Sequence, residues 1–279
     1  MATRTLQRII RSVHASDGAG VKLRRSLGQS DAARLDPFLM LDEFSSEDAN
    51  DYIAGFPDHP HRGFETVTYM LDGHMLHQDH LGNRGDLKSG DVQWMSAGRG
   101  IIHSEMPQQD RGRMRGFQLW INLPAKEKMK PAAYRDLRAS EIPDVALAKG
   151  GKVRVIAGNH GGVSGPIQGL STDATYLDVS LVPGESFSQP VADGYSAFLY
   201  PYEGTLKVGT QVLQSHDAGV LSMAGAVEAA AGGEGARFLV LAGKPIGEPI
   251  VQYGPFVMNT RAEIEQAIRD YQNGVLASA

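Results

Sequence analysis

The sequence predicts an all-β protein with one short helix near its end. Three observations carry this. Short runs rich in β-branched and aromatic residues alternate apolar with polar side chains, the period-2 pattern of strands with one buried face. Glycine is abundant, at 33 of 279 residues against a usual share of roughly 7 %, as frequent tight turns require. Helical spacing of apolar residues is confined to one segment, beginning at Thr260.

Residues 1–50 read as short strands and turns. Gly18-Ala19-Gly20 turns the chain into a strand at 21–25, and 37–44 is an apolar run carrying Asp42 and Glu43. From 63 to 123 strand follows strand. Thr66-Val67-Thr68-Tyr69-Met70 runs into the turn signal Asp72-Gly73, and 75–79 is its return strand. Gly90-Asp91 opens a strand at 92–95 that Gly98 stops, and Gly116 precedes the strongly alternating 117–123. The stretch 124–151 is charged and contains prolines, and reads as a linker with a short helix or two. Strand character resumes at 152–157 and continues at 175–182, 197–202, 205–208, 219–223 and 237–242.

The two β blocks echo each other. Leu71-Asp72-Gly73 is followed by Gly90 and then Ala97-Gly98, as Tyr202-Glu203-Gly204 is followed by Gly219 and then Ala224-Gly225. This weak duplication predicts two copies of one fold, in residues 1–140 and 141–279. At the end, Thr260 and Glu263 form a capping box, Ile264, Ala267, Ile268 and Tyr271 share a face, and Gly274 stops the helix. A helix at 261–273 follows, with a frayed tail beyond Gly274.

Composition narrows the function. The net charge is −5 and the pI about 6.0, without the basic excess of a nucleic-acid footprint. The segment around Arg4, Arg8 and Arg11 lacks the apolar run of a signal peptide. No window approaches the ~18 apolar residues of a membrane span. A soluble, cytoplasmic protein is expected, and a monomer, since a two-barrel chain can bury its own sheet faces. With no cysteine, disulfides are excluded and any metal must rest on His, Asp or Glu.

Six of the nine histidines fall between 59 and 103. His59 and His61 are separated by one residue, and so are His103 and Glu105. In an extended chain such pairs point to one face, roughly 6.5–7 Å apart at Cα, so their arms can converge on one ion. Pro60 helps keep the first segment extended. Three imidazoles and a carboxylate suit Fe(II), Mn(II), Ni(II), Cu(II) or Zn(II), and the lack of thiolate argues against a structural zinc site. Four ligands on an octahedral ion leave two positions open for chemistry. Glu65, four residues after His61, is a rival carboxylate, as a fifth ligand or in place of Glu105. His74, His77 and His80 are expected to be solvated hairpin residues, and His14, His160 and His216 structural or exposed.

Gly55-Phe56-Pro57-Asp58-His59-Pro60-His61-Arg62-Gly63-Phe64-Glu65-Thr66-Val67-Thr68-Tyr69 resembles the signature of the pirin family, within the cupin superfamily. Residues 90–107, with Met95-Ser96-Ala97-Gly98-Arg99-Gly100-Ile101-Ile102-His103-Ser104-Glu105, resemble the second motif of that family. Leu119-Trp120-Ile121-Asn122-Leu123-Pro124 and Tyr253-Gly254-Pro255-Phe256-Val257-Met258-Asn259-Thr260 extend the match along most of the chain. The resemblance implies two antiparallel cupin (jelly-roll) β-barrels with a short C-terminal helix, and one divalent transition metal, Fe(II), in the N-terminal barrel alone. It places the ligands on His59, His61, His103 and Glu105, and leaves Glu65 to orient a ligand or handle a proton. Setting the glycines of the two blocks against each other puts Pro190, Ala192, Ala230 and Gly232 where the ligands stand, so the second barrel is expected to hold no metal.

Two functions follow from the resemblance. One is a dioxygenase of the bacterial quercetin 2,3-dioxygenase type, opening a flavonol or related small phenolic substrate with molecular oxygen, with Glu65 or Glu105 taking the proton of the substrate hydroxyl. Phe56, Met70, Phe117 and Leu119 are its expected pocket walls. The other is a redox-sensing regulator without turnover, meeting a protein partner through a basic strand with Lys22, Arg24 and Arg25. Neither reading involves direct nucleic-acid or membrane binding.

Overall fold

A computed structural model describes residues 2–277. It is built almost wholly of antiparallel strands, in two jelly-roll-like units whose sheets are open paths and not closed rings. Neither unit is contiguous in sequence. One comprises residues 14–25, 38–139 and 246–279, and the other residues 1–13, 26–37 and 140–245. The boundary at 139/140 lies where the sequence divides, but the two ends of the chain are exchanged. Leu6–Arg11 hydrogen-bonds along Asp217–Leu221, which draws the N-terminus into the later unit. The helix Arg261–Gln272 buries Ile264 and Ala267 against Phe256, Met258 and Leu276, within the earlier one.

The earlier unit has a seven-stranded and a four-stranded sheet. The first runs Ala133–Leu137, Val92–Ser96, Phe64–Asp72, Met114–Asn122, Phe38–Ser46, Val21–Arg25, Val13–Asp17. The second runs Phe56–His61, Ile101–Pro107, His74–Asp79, Arg84–Lys88. The central strands of the large sheet are buried on both faces, so polar residues on them must find partners inside. Ala133–Leu137 lies in the stretch expected to be linker. It pairs with Val92–Ser96 as an edge strand, and its mostly exposed residues leave no alternation to read.

The later unit is built on a nine-stranded sheet in which Ser196–Val208 and Val227–Gly243 are long strands bent at register shifts, with a two-stranded pair of Asn159–His160 and Val163–Ser164 beside it. The separate strands expected at 197–202 and 205–208 are one strand. Gly204, at a φ of +68°, makes the bend between them, and a Cβ there would meet the carbonyl oxygen of Gly235 at 2.2 Å.

The capping box forms as expected: the Thr260 hydroxyl accepts from the Glu263 amide and the Glu263 carboxylate accepts from the Thr260 amide. At the other end Gly274 is left-handed, its amide donating to Tyr271 and that of Val275 to Asp270, which satisfies the last carbonyls. The expected fraying does not occur at Leu276. Its side chain is buried, and its carbonyl accepts from the Arg62 guanidinium, which also pairs with Asp270 at 2.7 Å and with the Arg99 carbonyl.

Lys128 is a buried cation of this unit. Its Nζ donates to the carbonyls of Gly63 (2.7 Å) and Val257 (3.0 Å) and to Asn122 Oδ1 (2.6 Å), tying the segment after His61 to the C-terminal hairpin. Lys128→Met keeps the stem and orphans three buried acceptors. It is expected to destabilise the protein by about 2–4 kcal/mol, read as a lower midpoint of urea unfolding by circular dichroism. A midpoint within error of wild type would show that water replaces the ammonium.

Candidate metal centre

His59 and His61 stand on the edge strand Phe56–His61, and His103 on its neighbour, with His103 directly opposite His59. The strands are antiparallel, so the i, i+2 spacing of the first pair and the cross-strand register together put three imidazoles on one face. Their ring centroids are 4.3 to 4.9 Å apart, and a ligand atom from each lies within 4.8 Å of the others. Among the described residues this is the one group of three His, Cys, Asp or Glu close enough to share an ion.

The surroundings favour neutral imidazoles with free lone pairs. The Nδ1 of His59 is 2.8 Å from the Pro57 carbonyl, so it carries the proton there and leaves Nε2 to a ligand. Neither ring nitrogen of His61 makes a well-formed hydrogen bond, the Pro255 carbonyl pulling on the ring only as a minor influence, and Nε2 of His103 has no partner. Burial holds His61 well below the usual histidine range, with the neighbouring His59 adding to the effect. Burial does the same for His103, with His61 next in weight. Phe64 and Trp120 wall the His61 ring at 5.1 and 5.3 Å, and His59 is the most exposed of the three. Buried, unpartnered acceptors in such number are rare unless something binds them, and an electron-pair acceptor such as a transition metal fits the set.

Glu105 stands two residues beyond His103 on the same strand. It is outside the three-histidine group because other partners hold its carboxylate: Thr68 Oγ1 donates to Oε1 at 2.9 Å, and Gln118 Nε2 lies 3.2 and 2.9 Å from the two oxygens. Trp120 Nε1 donates to Gln118 Oε1 at 3.2 Å, which fixes the amide so that its NH₂ faces Glu105. The sequence reading passed over Thr68, Gln118 and Trp120. Their signal was there: all three lie on the face of alternating strands opposite to the apolar Val67, Leu119 and Ile121.

Glu65 is not brought to the histidines. Along Phe64–Asp72, Thr66 and Thr68 point to the centre's side, while Glu65 pairs in register with Ser96 and Ile121 on the other face. Its carboxylate accepts from Trp94 Nε1 at 3.0 Å and faces Lys130 Nζ at 3.5 Å. The same alternation removes Phe117 and Leu119 from the expected pocket wall. Phe56 and Met70 remain on the centre's side, in the cluster with Phe44, Met75 and Met114. Among the other histidines, His77 is no solvated hairpin residue: it is 1 % exposed and packs on His103.

The later unit repeats the layout without the ligands. Ser186–Gln189 pairs with Val227–Gly243 so that Gln189 faces Val227, as His61 faces Ile101. The inward positions are therefore Phe187, Gln189, Ala229 and Ala231, three residues before Pro190 and Ala192 and one before Ala230 and Gly232, the positions that glycine matching selects. Pro190 and Ala192 are exposed. Gln189 Oε1 accepts from His160 Nδ1 at 2.7 Å, and the His160 ring stacks on Phe187.

Two jelly-roll units, one of them carrying a three-histidine centre, define a two-domain cupin. The Pirin family model matches residues 20–121 and the Pirin C-terminal cupin domain model matches residues 176–277. A Pseudomonas aeruginosa protein provisionally named a quercetin 2,3-dioxygenase is 54 % identical, with 94 % of each chain covered. Human pirin is 42 % identical over 92 % of this chain and 89 % of its own. The crystal structure of a quercetin 2,3-dioxygenase from Acinetobacter baumannii superposes with a TM-score of 0.92 at 35 % identity, covering 99 % of each chain. The chain belongs to the pirin family.

Removing the unpartnered imidazole at the centre separates metal binding from folding. His61→Leu is expected to eliminate metal from the purified protein by elemental analysis. It is also expected to raise the stability of the metal-free chain by about 1 kcal/mol, since a buried unsatisfied group disappears. Substoichiometric metal in wild type, unchanged in His61→Leu and His103→Ala, would defeat the assignment.

Proposed function

We propose that the chain is an iron-dependent dioxygenase that opens a flavonol or related phenolic ring with molecular oxygen. His59, His61 and His103 hold the ion through their lone pairs, and Glu105 is the fourth ligand. When bound there, Fe(II) supplies a Lewis acid for a phenol oxygen and an open position for a chelating substrate. The observation that carries the reading is the held carboxylate. Gln118 and Thr68 fix the Glu105 oxygens on the strand that carries His103, in a place where a proton leaving a substrate hydroxyl has a defined acceptor. The Acinetobacter baumannii quercetin 2,3-dioxygenase, matched along its whole length, supports the substrate class.

The residues around the centre do the positioning. Phe64 and Trp120 shield His61 from water on one side, and Phe56 and Met70 give the same face an apolar floor suited to an aromatic ring. Trp120 keeps the Gln118 amide turned toward Glu105, so the carboxylate does not have to be ordered when substrate arrives. The basic strand of the regulator reading is largely neutralised. Lys22 pairs with Asp51 at 2.5 Å, and Arg25 pairs with Asp17 and Asp42, each at 2.7 Å. Two of the three cations of that strand are thus paired with carboxylates, which weakens the case for an acidic partner there.

The test is loss of flavonol absorbance and uptake of oxygen when iron-loaded protein meets quercetin. Wild type is expected to turn over, His59→Ala to be inactive, and Glu105→Gln to lose about 10²-fold or more in rate. Glu65→Gln, on the other face of the sheet, is expected to stay within about tenfold of wild type. No metal-dependent loss of the flavonol in wild type would sink the reading for that substrate.

A further inference from the structure

His77 has no part in the ligand set, yet it is buried against it. His74–Asp79 pairs antiparallel with Ile101–Pro107, placing His77 directly opposite Glu105 and Asp79 opposite His103. Its side chain therefore emerges on the same face as both. The His77 and His103 rings lie 4.7 Å apart, and their Nδ1 atoms face each other at 3.2 Å. Two imidazole nitrogens at that distance are joined only when one carries the proton and the other offers a lone pair.

The direction of that bond follows from the other side of the ring. With Nδ1 taken by His77, the His103 atom left for an ion is Nε2, which is buried and has no partner. A metal takes a deprotonated nitrogen, so the neutral ring must carry its proton on Nδ1 and donate it to His77 Nδ1. His77 then carries its own proton on Nε2, which is buried without a hydrogen-bond partner, and the Tyr134 ring lies edge-on to it at 5.0 Å.

We propose that His77 is a positioning residue for the metal centre: it holds His103 as the Nδ1–H tautomer, so that the Nε2 lone pair is aimed at the ion's place before any ion arrives. This rests on the reading of the three histidines as ligands. The commoner partner of a ligating histidine is a carboxylate or a carbonyl. A neutral imidazole fixes the tautomer without drawing the proton away. His103 thus stays a neutral ligand, and the anionic charge among the proposed ligands rests on Glu105.

The test uses the full-length protein with two readouts. In metal-free protein labelled with ¹⁵N-histidine, long-range ¹H–¹⁵N correlations are expected to show His103 protonated at Nδ1 in wild type and shifted toward Nε2–H in His77→Leu. In cobalt-reconstituted protein, competition with a chelator is expected to show a 10- to 100-fold weaker affinity for His77→Leu, with altered visible absorption of the Co(II). His77→Gln, whose amide oxygen can accept from His103, is expected to stay within about threefold of wild type. The proposal is overturned if wild-type His103 is the Nε2–H tautomer, or if His77→Leu keeps both tautomer and affinity. It is also overturned if His77→Gln loses as much as His77→Leu, which would make His77 a ligand or a mere filler. Wild type that takes up no Co(II) overturns the metal centre itself, and the proposal with it. If His77→Leu does not fold, the wild-type tautomer and the His77→Gln affinity decide between the same outcomes.

Discussion

Between His61 and the strand that follows it, the chain turns within two residues, and Gly63 makes the turn at a φ of +91°. A Cβ at this position would lie 2.0 Å from the carbonyl oxygen of Val257, so only glycine fits. The close approach puts the Gly63 backbone to use on both sides. Its amide donates to Gly98 at 2.8 Å, and its carbonyl accepts from the buried Lys128 ammonium. Arg62, one residue earlier, is held by Asp270 and by the carbonyls of Arg99 and Leu276. The turn after His61 and the turn before His103 are thereby fastened to each other and to the C-terminal helix. That fastening ties the ligand-bearing strands to the segment after the helix, so that Leu276 packs as part of this unit.

What the fastened frame holds is costly to hold empty. Three imidazoles lie against one another, two of them buried, with lone pairs that no donor satisfies. Protonation, the ordinary relief for an unsatisfied histidine, is blocked by burial and by the neighbouring rings. The carboxylate nearby has its own donors in Thr68 and Gln118, and does not serve as the missing partner in this state. An arrangement of this kind stores the free energy that a cation releases on binding. Stability and function pull in opposite directions at His61, which is the usual condition of a built binding site.

Much of this was legible in the sequence. The i, i+2 pair His59/His61 survives folding because strand geometry alone puts such residues on one face, while Glu105, two residues after His103, stands outside the three-histidine group. The capping box at Thr260 and Glu263 survives because it is a local interaction among four residues. The failures lie where tertiary context decides. Glu65 looked equivalent to Glu105, but its position in an alternating strand sends it to the opposite face, where Trp94 and Lys130 meet it. Phe117 and Leu119 fail as pocket walls for the same reason of parity. Polarity made His77 look like a hairpin residue, because nothing local reveals that the strand opposite is Ile101–Pro107. Ala133–Leu137 was hidden because an edge strand with one neighbour and little burial has no pattern to display.

The second unit shows which part of the frame is general and which belongs to the centre. The pairing of Ser186–Gln189 with Val227–Gly243 reproduces the cross-strand register of the ligand strands. The side chains directed inward are instead Phe187, Gln189, Ala229 and Ala231. Phe187 and the two alanines join the apolar core, while Gln189 satisfies His160 directly. Here the single buried imidazole has a hydrogen-bonding amide beside it and needs no ion. The same backbone thus accommodates either a satisfied core or a set of aimed lone pairs. The difference lies in whether the inward residues bring partners for one another. At the first centre they do not, and its buried unpaired nitrogens fit a ligand that accepts electron pairs.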